Sequence, residues 1–461
     1  MKNYKKVYAA FILAGGLILH GCNGIFDDLA INPNQPSMGA YFTSPSAVND
    51  AVMTMYGYMS TQRCLGASGS KTTIIRSDEA SSNSDYGKPG MFGADLNASY
   101  YTIEQPYTLM YTTASQASYI IETAPSVDFS GNEEMRNAYM GEAYFWRAFA
   151  HYYLLINFRN ISPIRQMPRN GDDYVRPLEK PAAVWDFIQE DLAHAKELLP
   201  VKGYWDSKNA GRVTKASAAA LLGKAYLYRS GIEQYYGEDK TTFYSEAAKE
   251  FGDVIDGKYG TYDLTKNYAD NFDVAHENNE ESILEFQFLG DVDNAGFNPG
   301  LATSGLAFDS RGLMLPGAGV GYEGVVHNWL YNAFVNSIDK DGYTDIRMFS
   351  TMIFNDLDAS IHLRNDAGGN PVRLEGPGGY KWEELYPAKN GKEGFATVSN
   401  PLAHSFKAGI RKGIDCSMPT QTEADGTPKL VGVGAGVKEY VYNQPRAHGV
   451  NWRYIRYADV L

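Results

Sequence analysis

Between about residue 46 and residue 257, apolar positions return every three to four residues, the spacing of one helix face after another. The clearest stretch is 133–158, where Met135, Ala138, Tyr139, Trp146, Phe149, Tyr153 and Ile156 share a stripe. Asn132 is placed to cap it, with Glu133 and Glu134 in the first turn, and Pro163 and Pro168 end it. Further helices are predicted over 182–199, stopping at Pro200, over 214–229, and over 243–255. Beyond residue 260 the pattern changes. Residues 282–289 (SILEFQFL) read as a strand and residues 325–335 as a helix. Gly- and Asn-rich loops fill 290–325 and 364–400.

The helices carry a weak internal repeat. Leu222-Gly223-x-x-Tyr226 fits the first helix of a tetratricopeptide repeat, and Met140-Gly141-x-x-Tyr144 nearly does. Ala247-x-x-x-Phe251 fits the second helix, displaced by the insert 233–243, and Leu192-x-x-Ala195 before Pro200 resembles a repeat's end. The physical expectation is that Gly223 lets two helices approach while Tyr226 and Phe251 fill the seam. The predicted fold class is therefore mainly α. A scaffold of tetratricopeptide-like helix pairs (46–257) carries an irregular, loop-rich cap with a few short strands (258–461).

The N-terminus changes the picture. Lys2, Lys5 and Lys6 precede an apolar run over 7–19, too short to span a bilayer and ordered as a secretory signal. The run closes on Leu19-His20-Gly21-Cys22, similar to a bacterial lipobox with cleavage before Cys22 and acylation of its thiol. Residues 1–21 thus read as a lipoprotein signal peptide and 22–45, rich in Asn, Pro, Gly and Ser, as a tether. Ordinary secretion is the alternative. Cys64 and Cys416 then stand in an oxidising compartment, free to pair if the fold brings them within reach.

Charge and motifs narrow the function. The net charge is −13, and the first 21 residues hold three lysines and no acids, so the remainder is more acidic still. Such a surface repels phosphate backbones, and nucleic acid is not an expected partner. Residues 319–324 (GVGYEG) spell a dinucleotide fingerprint but follow Pro316 rather than a strand, and a loop is the better reading. Ser70-Lys71-Thr72 lacks the glycine that a phosphate loop needs before its lysine. The eight histidines are scattered, with no HExxH and no GxSxG elbow anywhere. No metal, cofactor or catalytic residue is expected. A glycosidase needs only two carboxylates across a cleft, so that reading stays open as the least favoured.

Residues 78–111 are different. Asp78, Asn83, Asp85, Tyr86, Phe92, Asp95, Tyr100 and Tyr107 lie among glycines. Flat rings stack on the apolar faces of sugars, and carboxylates and amides take hydroxyl hydrogen bonds. Tyr107, Met110 and Tyr111 are read as the core face of the following helix. Tyr86 and Phe92 divide evenly between ligand contact and local packing, and Asp78 between ligand contact and a helix cap.

Several segments together resemble the SusD/RagB family of nutrient-uptake lipoproteins. They are Cys22 with its acidic tether, Ser77-Asp78-Glu79-Ala80, GEAYFWRAFAHYYLL from Gly141, and DLAHAKELLP from Asp191. GRVTKASAAALLGKAYLY from Gly211, EESILEFQF from Glu280, Asp345-x-Arg347 and the closing RYADVL from Arg456 complete the ordered set. The resemblance implies a lipid anchor at Cys22 in the outer membrane, facing the cell exterior. It also implies a SusC-like TonB-dependent transporter as partner and a glycan ligand, sometimes a peptide. It points to Asp78, Tyr86, Phe92, Tyr322 and Trp329 as ligand contacts. The family binds and does not cleave. A protein-binding adaptor built on the same repeats is the alternative of a different class. Two departures are visible: Ser118 stands where the family often has Asn, and Arg159 where it often has Gly. A helix is also expected to begin near Ile455, with its partner helix missing after Leu461.

Overall fold

The computed structural model describes residues 42–61, 63–66, 77–81, 98–167, 175–237, 239–272, 274–288, 325–354, 361–362, 408–410, 430–432, 438–440 and 451–461. Helix α1 (Pro45–Ser60) opens on Ser44, whose Oγ accepts from Ala47 N at 3.3 Å, with proline at the first helical position. Helix α2 follows as Tyr101–Thr123, and α3 as Glu133–Phe158 has the bounds that the periodicity predicts. Asn132 caps α3 by accepting from Met135 N at 3.1 Å. Helices α4 (Pro181–Leu198), α5 (Lys215–Tyr236) and α6 (Tyr244–Ile255) complete the scaffold.

Two stop signals differ from the sequence reading. Helix α3 ends not at the prolines but at Arg159, whose φ of 63° breaks the helical path. Arg159 stands there without glycine's freedom, yet its guanidinium makes two bonds to the buried Glu233, at 2.9 and 2.7 Å. Helix α5 runs past Arg229 and through Gly231, stopping only at Gly237, where φ is 69°. A glycine ends a helix when the chain needs a left-handed residue, and merely weakens it otherwise.

Consecutive helices pack on one another from α2 through α6, giving the tetratricopeptide-like stack. The repeat glycines sit at its closest approaches. A Cβ on Gly223 would lie 2.6 Å from the Phe251 ring of α6, and one on Gly141 would lie 2.9 Å from Leu199. Trp146, Phe145, Phe149, Tyr152 and Trp185 fill the core.

Charged groups are buried inside this stack in matched pairs. Arg212 Nε donates to Glu142 Oε1 at 2.8 Å, its Nη2 takes the other oxygen, and the Tyr56 hydroxyl donates to the same carboxylate at 2.6 Å. Burial pushes the Glu142 carboxyl up from its ordinary value, and the hydrogen bonds and charge of Arg212 oppose that shift. Arg147 holds Asp191 with two bonds of 2.7 Å and also reaches Ser118, the position where the family often has Asn. His151 is locked as a neutral ring. Its Nδ1 donates to Arg147 O at 2.7 Å and its Nε2 accepts from Ile164 N at 2.9 Å, while burial lowers its pKa to about 3.

The remaining elements are short. Strands β1 (Ala80–Ser81), β3 (Val325–Val326), β4 (Met352–Phe354) and β5 (Ala408–Ile410) form one sheet in the order β1-β3-β5-β4. β2 (Ser282–Phe286) pairs antiparallel with β8 (Trp452–Arg456), and β6 (Leu430–Gly432) with β7 (Lys438–Tyr440). The helix expected from Ile455 is not there. Ile455 is a buried strand residue paired with Leu284, and only a 3-10 turn over Tyr457–Asp459 follows. Alternate residues Arg453 and Ile455 face inward, the period of a strand rather than a helix. Helices α7 (Asn328–Asn336) and α8 (Arg347–Thr351) complete the list. The single helix expected over 325–335 therefore divides into β3 and α7. Asp345-x-Arg347 is a local clamp in which Arg347 bonds the Asp345 carboxylate at the start of α8. Cys64 is buried, its thiol pushed up to about 12 by burial, and Cys416 lies outside the described residues.

Candidate functional site

The site is built where a two-residue strand meets the start of a helix. Ser77 Oγ accepts from Glu79 N at 3.3 Å, bending the chain so that Asp78 and Glu79 face solvent and Ala80 turns inward as the first residue of β1. β1 pairs antiparallel with β3, Ala80 opposite Val326 and Ser81 opposite Val325. His327 N continues that ladder by donating to Glu79 O at 2.9 Å. The next residue opens α7, so Trp329 lies directly over the bend. Its indole Nε1 donates to the backbone carbonyl of Asp78 at 2.6 Å.

Beneath this junction lies a small apolar core of its own, formed by Val326, Tyr331, Met348, Met352 and Ile361 with Leu330 and Phe334 against it. One side of α7 is thereby anchored, and Trp329 projects from the other with 49% of its surface exposed. An indole normally hides in a core or turns its N–H to water. This one has its N–H satisfied by the protein while much of the ring stays open, which fixes the ring in place as a flat apolar platform. The carboxylates of Asp78 and Glu79 stand exposed beside it as hydrogen-bond acceptors. A platform flanked by acceptors suits a neutral ligand with apolar faces and hydroxyl edges.

Of the five predicted contacts, Asp78 and Trp329 are 251 residues apart in sequence and joined in the structure. Asp78 caps no helix; it sits in the bend before β1. Tyr86, Phe92 and Tyr322 lie outside the described residues, as do Cys22 and the rejected motifs at 70–72 and 319–324. Met110 and Tyr111 turn to the scaffold core as expected. Tyr107 does not: it is exposed, and packs edge-on against Tyr111 and Phe158, both at 4.9 Å. Sequence reasoning does not find the parts played by Glu79 and His327. They act through backbone groups, which leave no residue signature.

Among the described residues, no group of three or more His, Cys, Asp or Glu side chains is placed to hold a metal ion. No described helix is long and apolar enough to cross a membrane.

Comparison with known proteins bears on what such a site is for. A SusD-like family model, described as starch-binding associating with outer membrane, matches residues 31–227. A SusD-like protein of Bacteroides ovatus is 26% identical over 293 residues, which is 63% of this chain and 51% of that relative. The chain thus spans about half the length of the curated relatives it matches. Among solved structures, a SusD superfamily protein from Bacteroides vulgatus superposes with a TM-score of 0.62 at 19% identity, over 91% of this chain and 74% of that one. A laminarin-binding SusD-like protein gives 0.60 at 20% identity, over 91% and 79%. With the helix-pair scaffold and its ordered motifs in place, family model, curated relative and fold all support a SusD-like family protein.

Proposed function

We propose that this protein is a binding protein that captures glycans on the outer face of the outer membrane and delivers them to a SusC-like TonB-dependent transporter. The observation that carries the reading is the Trp329 platform, held by the Asp78 carbonyl and flanked by exposed carboxylates. Tyr86, Phe92 and Tyr322, to which the family resemblance also points, are the further candidate contacts in this reading. The relative described as laminarin-binding shares the fold and supports the glycan class. Recognition rather than cleavage is the proposed activity: the platform offers stacking and acceptors, and SusD-like proteins are carbohydrate binders. Acylation at Cys22 supplies the anchor, since a lipidated N-terminus tethers a protein without a membrane-spanning helix.

Isothermal titration of the protein with laminari-, xylogluco- and malto-oligosaccharides tests the reading. One of these ligands is expected to bind, and Trp329→Ala to weaken it about five- to tenfold, the loss of roughly 1 kcal/mol of ring stacking. Binding that is unaltered in the variant would remove Trp329 from the site. The anchor is tested separately: Cys22→Ala should move the protein from the membrane to the soluble fraction, and continued membrane attachment would contradict acylation there.

A further inference from the structure

A second concave feature lies on the helical scaffold, away from the elements that build the Trp329 platform. Helices α3 and α4 touch where Gly141 meets Leu199, closely enough that a Cβ would lie 2.9 Å from both the Leu199 side chain and its backbone nitrogen. Four and seven residues earlier on the same face of α3 stand Asn137 and Glu134. There a cleft of about 460 Å³ opens. Its floor is the apolar segment 198–201, and its walls carry Glu134, Asn137, Glu197, Tyr204 and Lys215. That volume falls within the range of small-ligand and peptide pockets.

Two of the charges lining it are placed against the local helix dipoles. Glu197 sits in the last turn of α4, where the helix dipole disfavours an anion, and Lys215 is the first residue of α5, where it disfavours a cation. Neither they nor Glu134 has an ion-pair or side-chain hydrogen-bond partner among the described residues. The buried carboxylates of the scaffold, by contrast, each have a cation, as Glu142 has Arg212, Asp191 has Arg147, Glu233 has Arg159 and Glu250 has Lys196. The apolar floor is thus ringed by charges that have no ion-pair partner among the described residues.

We propose that this cleft docks an extended polypeptide segment bearing a basic side chain, contributed by a partner protein. Two carboxylates against one ammonium leave the cleft net negative, complementary to a guanidinium or ammonium. The methylene stem of Lys or Arg lies along 198–201, and the Tyr204 ring offers a face to its cation. Lys215 donates to a peptide carbonyl. The protein's net charge of −13 also draws a cationic segment toward it.

The test uses the whole chain and a fluorescein-labelled capped pentapeptide, Ser-Leu-Arg-Leu-Ser, with the citrulline peptide as its neutral isostere. Fluorescence anisotropy should show the arginine peptide binding at least tenfold more tightly, with affinity falling as salt rises. The double variant Glu134→Gln/Glu197→Gln should erase that preference, and Glu246→Gln, an exposed acid on α6, should leave it intact. Trp329→Ala should also leave it intact, which separates this cleft from the glycan platform. Equal binding of the two peptides, a preference that survives in the double variant, or displacement of the peptide by an oligosaccharide would each overturn the proposal.

Discussion

The helical scaffold and the cap solve the same problem, burying backbone and polar groups, by different means. In the scaffold, long helices satisfy their own backbone, and arginines reach between helices to hold buried carboxylates: Arg147 to Asp191, Arg212 to Glu142, Arg159 to Glu233. In the part of the cap that carries the Trp329 platform, strands of two or three residues lean on a core of five buried apolar side chains, and one indole bonds a backbone carbonyl across 251 residues. A matched charge pair in a dry interior tolerates almost no displacement. A short ladder over a small core tolerates much more. The scaffold is therefore built to stay still, and the cap, under the proposed function, to present side chains to a ligand.

The contrast is sharpest where a scaffold pair is broken. Arg212→Met leaves Glu142 buried without its cation and should cost about 3–5 kcal/mol in urea unfolding. A loss under about 1 kcal/mol would show that the pair is solvated and that the scaffold is looser than described.

Close approach is tested next. Gly223→Ala forces a methyl into the Phe251 ring and should cost about 1–3 kcal/mol, with glycan affinity unchanged. If stability holds, α5 and α6 can part without penalty.

Acid should act on the scaffold through His151. Its folded pKa of about 3 lies below the ordinary value of about 6.5, so the neutral ring contributes stability above the ordinary value. That contribution is lost as pH falls from there toward 3, because only the unfolded chain then takes the proton. Lowering pH from 7.5 to 5.5 should remove about 1.4 kcal/mol through this group, and His151→Gln should lack that part of the slope. Parallel pH profiles for the two proteins would contradict the neutral, buried ring.

Smallest of all should be the effect of Trp329→Ala on global stability, less than about 0.5 kcal/mol, because the ring leaves no core cavity. A collapse in melting temperature would make it a structural residue of the cap.

The two regions also differ in how far they were legible in the sequence. Scaffold helices advertise themselves locally. Asn132, two glutamates and a 26-residue stripe define α3 to the residue, and Gly223 and Gly141 mark the seams they were expected to mark. What failed there were helix ends, since Arg159 ends a helix by positive φ and the helix predicted to stop at Arg229 runs on to Tyr236. Cap elements depend on partners far away. Trp452–Arg456 is a strand because Ser282–Phe286 lies beside it, and nothing within ten residues of Ile455 says so. Val325 and Val326 leave the helix pattern because Ala80 and Ser81 offer a ladder. Asp78 was legible as a residue type suited to sugars and Trp329 only through the family resemblance; their juxtaposition was not legible, because it runs through a backbone carbonyl.

Hydrogen exchange measured with and without a saturating oligosaccharide tests the division between rigid scaffold and ligand-bearing cap most directly. The prediction is added protection at 77–81 and 325–336, with helices α3 to α6 unchanged. Protection appearing instead along the α3–α6 seams, with 325–336 unaffected, would place the ligand on the scaffold and contradict the account.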